Sequence, residues 1–551
     1  MTIRCSAPRV LAMLESWAEI SERLRRIQQN SNMRRRTFIK AGAALTVASA
    51  LPHVEAQEVP THNWDNYDFG PGPQVTDRLN QGPFGIEQDA GWYTVLVTSQ
   101  SSKPVKNYGL GLMGYTWEEG GPSLAARAGV ETLEQHVEKM ASLPFVDLLY
   151  IRCDWRDVQT APGKLNLHPV FKLTLDAAKR HNLRVAFRIQ MSNTEGQPQR
   201  LALPDFLQKQ VPLVKIGKTY GVKEDFVEPR YDHPKFQSAF KELNELLVDE
   251  FDNNPLMEFV DLMMYGFWGE GHTSNLPNPF PDYLTAVKTS LDMTKLQLDL
   301  WKKVPLAVNT QPDISNVGNR EVQDLCVRAG CWLRSDSIVI EESIQIEELS
   351  NRPPWLATIM EDGYYRQYKV DPNYLPVDEA GINVLEKWML HAVDLGANYW
   401  SLWTESDNLR RYYERYPNGF DTLQRRLGFR VRPSWIWQRK RYGTDEVIVA
   451  VSNDGVAGVP GVLRLHLESD DGKIHLSGSL DAGHPHAGKI RQASFLLPKN
   501  SDGLKLKIRA EIETKGVRRA VNWAAAQPTN PDGSISFQLL RHDDPKWRKG
   551  V

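Results

Sequence analysis

Met263-Met264-Tyr265-Gly266-Phe267-Trp268-Gly269-Glu270-Gly271-His272 is the stretch on which the reading of this chain turns. An apolar run passes into aromatics, then into glycines flanking a carboxylate and an imidazole. Glycine lets the backbone turn sharply and approach a ligand closely. Trp268 offers a flat apolar face, and Glu270 a group that gives or takes a proton. A strand ending this way fits the carboxyl rim of a (β/α)8 barrel, where that fold carries its chemistry. Taken alone, the segment fits a capped core strand with one solvated glutamate equally well. The rest of the chain decides between them.

Outward from this stretch, short apolar runs alternate with longer amphipathic ones from about Lys103 to Gly428. That alternation predicts a parallel sheet with crossover helices. Strands are expected at 108–113, 146–153, 183–190, 259–267, 304–310, 331–336, 355–360 and 397–403. Helices are expected at 130–143, 170–181, 235–251, 284–302 and 379–395. The fold class is therefore α/β, a (β/α)8 TIM barrel over 103–428. The link 191–234 is long and Pro-rich and should wall the cleft, whereas 337–354 leaves little room for a full helix. After Gly428, short runs at 446–452, 461–467, 490–497, 504–513 and 534–540 are separated by Gly, Asn and Asp turns. They predict an all-β sandwich domain over 429–551. Residues 57–102 read as a loop-rich wrap.

The chain sets 66 Lys and Arg against 68 Asp and Glu, so its charge nearly cancels. No basic block with interleaved aromatics points to nucleic acid. Its 16 tryptophans supply both core and stacking platforms for flat ligands. Near the start, Arg34-Arg35-Arg36-Thr37-Phe38-Ile39-Lys40 and the modestly apolar run to Leu51 read as a twin-arginine export signal. A basic amphipathic helix is the other reading. The run is too short to span a bilayer comfortably, and Val54-Glu55-Ala56 looks like a cleavage site. Residues 1–56 are thus an N-terminal extension and signal, with Met33 as an alternative start. The expected course is transfer by the twin-arginine export machinery to a periplasmic or secreted location, with no membrane anchor in the mature form. Cys153, Cys326 and Cys331 remain after cleavage, an odd number that argues against a disulfide framework. No metal-ligand spacing and no Gly-rich phosphate loop appear, so neither metal nor organic cofactor is expected.

The predicted strand ends carry polar groups. Arg152 and Asp154 follow the second strand, and Arg188 and Gln190 the third. Trp268, Glu270 and His272 follow the fourth, and Asn309 and Gln311 the fifth. Arg334 and Asp336 end the sixth, Glu361 and Asp362 the seventh, and Trp403, Glu405 and Asp407 the eighth. An interior arginine without a partner is costly, so Arg152, Arg188 and Arg334 call for carboxylates or an anionic ligand. His272 has no partner His at helical spacing and reads as a supporting or sugar-contacting residue. Glu118-Glu119-Gly120-Gly121 reads as a solvated loop or a substrate-facing rim. Trp400 is expected in the core and Trp403 beyond it, free to stack.

These segments resemble the second and third strands of retaining barrel glycosidases. Tyr150-Ile151-Arg152-Cys153-Asp154-Trp155, then Ala161-Pro162-Gly163-Lys164-Leu165-Asn166, then a helix and a strand ending in Arg188, carry the likeness. The Gly266–His272 segment is similar to a Gly-x-Trp-Gly-Glu-x-His motif in secreted bacterial barrel proteins without an assigned activity, and Arg426-Leu427-Gly428-Phe429-Arg430 suits the same family. The resemblance implies an acid/base glutamate after the fourth strand and a nucleophile at the end of the seventh. Those positions are Glu270 and Glu361, with Glu405 or Asp336 as substitutes for the second. Gly269 stands where the glycosidases place an Asn that holds the sugar 2-hydroxyl, so that contact falls to Asn309 or His272. The expected protein is a secreted glycosidase acting on a polysaccharide or oligosaccharide. The competing readings are a carbohydrate-binding barrel without turnover, or a lyase using His272 or Tyr265 as base. The three strand-end arginines leave a uronic or sulfated sugar open as the ligand.

Overall fold

The computed structural model describes residues 83, 91–122, 126, 128–218, 223–310, 319–335, 343–361, 384–441 and 443–545. The twin-arginine region, Gln311, Asp336 and Asp362 lie outside the described residues.

A strand Trp92–Val97 (β1) comes first. Eight parallel strands then close into a barrel: β2 (Gly111–Trp117), β3 (Leu148–Asp154), β4 (Arg184–Gln190), β7 (Met257–Asp261), β8 (Leu306–Asn309), β9 (Trp332–Arg334), β10 (Thr358–Glu361) and β11 (Tyr399–Leu402). They are neighbours in chain order, with β11 returning to β2. The two remaining strands of this half, β5 (Leu213–Gly217) and β6 (Phe226–Pro229), form a separate antiparallel hairpin. The (β/α)8 barrel read from the alternating pattern is thus present.

Why this sequence closes a barrel is visible in a period of two. Successive strand residues point to opposite faces. Leu149, Ile151 and Cys153 join the outer core against the helices, while Leu148 and Tyr150 join the interior. The same parity puts Met113 and Tyr115, Ala186, Phe259, Ala307, Trp332, Ile359 and Tyr399 inside. Leu112, Val185, Phe187, Val260, Val308, Leu333, Met360 and Trp400 face the helices. Strands buried on both faces read as near-continuous apolar runs, which is why they were legible.

The helices are α1 (Leu133–Ala141), α2 (Pro169–His181), α3 (Asp205–Gln208), α4 (Pro234–Phe251), α5 (Tyr283–Leu300), α6 (Asn319–Ala329), α7 (Ser343–Ser350), α8 (Val384–Asp394), α9 (Ser406–Arg415) and α10 (Pro417–Arg426). Local signals set several ends. Thr132 and Gln135 form a reciprocal capping box at α1, and Pro169 and Pro234 stand at first-turn positions where their missing N–H costs nothing. Link 337–354 does hold a helix, the eight-residue α7. The fourth strand stops at Asp261, short of the expected Phe267, and the chain turns left-handed at Gly266 five residues on.

Beyond the barrel come β12 (Val431–Arg441), β13 (Thr444–Asn453), β14 (Val462–Ser469), β15 (His475–Ser479), β16 (Ile490–Leu496), β17 (Lys505–Thr514), β18 (Val517–Val521) and β19 (Ile535–Gln538). They make two antiparallel sheets, β1-β12-β13-β16 and β15-β14-β17-β18 with β19 on β17, consistent with a sandwich. Trp92–Val97, within the stretch read as loop-rich, is an edge strand of the first sheet, paired with β12. The barrel interior and the sandwich share one apolar cluster: Tyr108, Phe259, Trp332 and Tyr399 from one side, Phe429, Val431 and Leu465 from the other. The sandwich therefore closes the end of the barrel opposite the carboxyl rim.

Candidate active site

Above the aromatic layer, the inward parity turns ionic. Arg152 continues Tyr150, Arg188 continues Ala186, Asp261 continues Phe259, Arg334 continues Trp332 and Glu361 continues Ile359. Register aligns Arg152 with Arg188 and Asn309 with Arg334. All five charged side chains are at most 2 % exposed.

They form one lattice. The Arg152 guanidinium places Nη1 3.0 Å from Glu361 Oε1 and 3.0 Å from Glu119 Oε1, while its Nη2 donates to Glu270 Oε1. Arg188 donates from Nη1 to that same Glu270 oxygen at 2.8 Å and from Nε to Asp261 Oδ2 at 3.1 Å. Arg334 donates from Nε to Glu361 Oε2 at 3.1 Å, and its Nη1 lies 3.4 Å from Asp261 Oδ2. The Arg334 guanidinium also sits over the Tyr150 ring at 5.0 Å, and Tyr150 Oη donates to Asp261. Tyr115 Oη donates to Glu361 Oε1 at 3.1 Å and itself accepts from Ser401 Oγ at 2.8 Å.

Burial would raise the Glu361 carboxyl, but the guanidiniums of Arg334, Arg152 and Arg188 outweigh it and hold the group at about 2. Glu361 is an anion at any ordinary pH. Glu270 accepts from two guanidiniums and has His272 Nε2 3.3 Å from its other oxygen. Three guanidiniums meet four carboxylates (Glu119, Asp261, Glu270 and Glu361), so the arginines are spent on protein acids. The arginines that left a uronic or sulfated ligand open thus have protein carboxylates as their counter-ions.

The loop that presents Glu270 is tightly built. Gly266, Gly269 and Gly271 have φ of 80°, 74° and 82°, and a Cβ on Gly266 would collide with the His272 carbonyl. Trp268 adopts φ 58°, a left-handed conformation that costs a non-glycine residue about 1–2 kcal/mol. Its backbone is pinned from both sides: the N–H donates to Ser192 O at 2.9 Å, and Arg188 Nη1 donates to its carbonyl at 3.3 Å. Asn309 Nδ2 donates to the Glu270 carbonyl at 3.3 Å. Trp268 is half-buried, its ring edge-on to His272 at 5.8 Å.

Of the residues singled out from sequence, Arg152, Arg188, Trp268, Glu270, His272, Asn309, Arg334 and Glu361 meet at one end of the barrel. Trp403 is half-buried and packs on the interior cluster, while Trp400 is fully buried among the helices. Glu405 is the N-cap of α9 and acts with Glu131 and Glu118 on the field at His136. Glu119 is not a solvated loop residue: it is buried and pairs with Arg152. Asp261, Tyr115 and Tyr150 were missed. The signal was parity, since each lies an even number of places from an interior residue of its own strand.

Among the described residues no group of three His, Cys, Asp or Glu is arranged to hold a metal ion, and no helix is long and apolar enough to cross a membrane.

No protein-family model matches the chain, and no curated protein matches it. Among solved structures, the chain is similar to the catalytic domain of a β-amylase from Paenibacillus polymyxa, at 9 % identity over 55 % of this chain and 97 % of that one, with a TM-score of 0.37. It is also similar to a family 5 glycoside hydrolase from Prevotella bryantii, at 11 % identity over 59 % and 98 %, with a TM-score of 0.35. A third is a family 42 β-galactosidase from G. stearothermophilus, at 10 % identity over 58 % of each chain, with a TM-score of 0.36. These neighbours are glycoside hydrolases; identities and scores this low leave this chain's own activity to its side chains.

Proposed function

We propose that this chain is a glycoside hydrolase in which Glu361 is the nucleophile and Glu270 the acid/base. One observation carries the reading: a single guanidinium, that of Arg152, bonds both carboxylates at the carboxyl rim. Two carboxylates reached by one planar group favour the closer of the two glycosidase spacings, about 5–5.5 Å, in which the second carboxylate attacks directly. Glu361, kept ionised by three arginines, suits attack on an anomeric carbon. As its oxygen bonds that carbon, the glycosidic C–O bond breaks and Glu270 delivers a proton to the departing oxygen. Glu270 then takes a proton from water, whose oxygen displaces Glu361 and frees the sugar. Trp268 is the stacking surface. The proposed substrate is a neutral oligosaccharide or polysaccharide, because the arginines carry no charge in excess of their acids.

A second reading has its own observation. Glu270 sits between Arg152 and Arg188, the surroundings of a settled anion, whereas a proton donor needs to hold a proton. A barrel that binds glycan without cleaving it fits that arrangement. The deciding experiment is turnover on a panel of aryl glycosides and oligosaccharides by wild type, Glu270→Gln and Glu361→Gln, with calorimetric binding on the same ligands. Loss of turnover at either position with binding retained supports the hydrolase. Binding without turnover in wild type supports the second reading. We also propose, from the paired arginines of the N-terminal stretch, that the chain is exported by the twin-arginine route; secretion of a reporter fused to residues 1–56, lost on replacing Arg35 and Arg36 with Lys, is the test.

A further inference from the structure

The hairpin β5/β6 lies in the long link between β4 and β7, and it carries a carboxyl that the proposed chemistry does not use. Glu228 is completely buried. Tyr231 Oη donates to its Oε2 at 2.5 Å, and Ser192 Oγ donates to its Oε1. Both partners reach onward to the loop that presents Trp268 and Glu270. Tyr231 Oη accepts from the Gly266 N–H at 3.0 Å, and the Ser192 carbonyl accepts from the Trp268 N–H at 2.9 Å. Gln197 Nε2 adds a donor to Ser192 Oγ at 3.3 Å, and its Oε1 accepts from Val227 N at 2.9 Å, closing the network onto β6.

The apolar contacts around it are non-directional. Ile216, Phe226 and Phe267 pack together with Trp268 and Leu276, which holds the hairpin near the loop but does not orient a backbone. The loop needs orienting, because Trp268 occupies a conformation that persists only when its surroundings over-determine it. Hydrogen bonds supply direction, and Glu228 is where the two branches meet.

We propose that Glu228 is the positioning residue of the Gly266–His272 loop: through Tyr231 and Ser192 it fixes the backbone at Gly266 and Trp268, and so the place of Glu270. The proposal takes its catalytic consequence from the hydrolase reading, but its structural content stands apart from that reading. Burial, opposed by the Ser192 and Tyr231 bonds, raises the Glu228 carboxyl to about 7. A neutral amide of the same shape keeps one accepting oxygen for the Tyr231 hydroxyl and turns its N–H to donate to Ser192 Oγ, so both branches stay joined. No cation is among the groups that act on it; Tyr231, itself pushed well above its ordinary range by burial, is the titratable one.

The test is hydrogen exchange of the full chain over 263–272, read with the melting temperature, in wild type, Glu228→Leu and Glu228→Gln. Glu228→Leu should exchange about tenfold faster at Gly266 and Trp268, the effect of losing roughly one hydrogen bond's worth of local stability. Glu228→Gln should return to within about threefold of wild type, and turnover should follow the same order. Wild-type exchange in Glu228→Leu overturns the proposal. Exchange raised equally in both variants and along all of 213–229 also overturns it, being the mark of general support for the hairpin. If Glu228→Leu does not fold, Tyr231→Phe removes only the hydroxyl between Glu228 and Gly266, and the same two outcomes at Gly266 decide. A wild-type chain without turnover defeats the hydrolase reading and leaves the exchange result to decide the role of Glu228.

Discussion

Glu270 and Glu361 share Arg152: one guanidinium donates to Glu270 through Nη2 and lies 3.0 Å from Glu361 through Nη1. Neither carboxylate is exposed by more than 1 %, so their ionic state depends on these protein partners. Replacing Glu361 by Gln should lower kcat/KM by at least about 10²-fold, and Glu270→Gln by about 10²–10⁴-fold on substrates with poor leaving groups. Added azide should recover turnover in the nucleophile variant if Glu361 is the attacking group. Steady-state rates on an activated and an unactivated aryl glycoside distinguish the two roles, because a good leaving group needs no acid.

Arg334 serves two acids, Glu361 and Asp261, from a fully buried position. Arg334→Met should destabilise the chain by about 3–5 kcal/mol, since it leaves buried carboxylates without compensation. Combining it with Glu361→Gln should cost less than the sum of the two, with a coupling of about 0.5–3 kcal/mol. Denaturant unfolding of the four proteins of the cycle measures this; strict additivity would show that the pair does not interact.

Glu361 is held at about 2, below the ordinary carboxylate value of about 4.3. A depressed carboxyl contributes stability that is complete above its unfolded value and lost as pH falls through the folded one. The stability of wild type should therefore drop between about pH 4 and pH 2, and Glu361→Gln should drop less steeply there. Unfolding free energy against pH is the measurement.

Glu228 has the opposite sign. Its value of about 7 exceeds that of the unfolded chain, so its contribution is complete at low pH and declines as pH rises from about 4.3 to 7. Glu228→Gln should remove that decline and gain about 3 kcal/mol relative to wild type at pH 8 compared with pH 4. Asp154, raised by burial to about 6 despite Arg200, titrates in the same window but is common to both proteins. The difference curve isolates Glu228.

Gly266→Ala should lose the loop geometry. Its φ of 80° disfavours any side chain, and the added Cβ meets the His272 carbonyl. A cost of at least about 1–3 kcal/mol is expected, with weakened ligand binding at Trp268. A thermal melt and a binding titration check it; Gly269→Ala, where the nearest atom is Arg188 Cδ at 3.5 Å, should be milder.

What the sequence by itself determined was the order and kind of the elements. Strands buried on both faces write themselves as apolar runs, and Gly, Asn and Asp turns mark a sandwich, so both the barrel and the β domain were legible without coordinates. The candidate carboxylates were legible too, since Glu270 follows a glycine-bounded turn and Glu361 ends an apolar run. The tertiary structure decided which charges meet. Glu119 looked solvated because its neighbours are polar and glycine-rich, yet closure of the barrel brings it against Arg152. Asp261 is not among the residues singled out from the sequence, and only closure of the barrel brings its side chain against both Arg188 and Arg334. Glu228 and Ser192 lie in a link with no periodicity to read, and their bond to the Trp268 loop exists only because that link folds back over it. Periodicity is a property of one strand and survives in the sequence. Ion pairing between strands depends on closure and register, which the chain acquires only when the whole barrel forms.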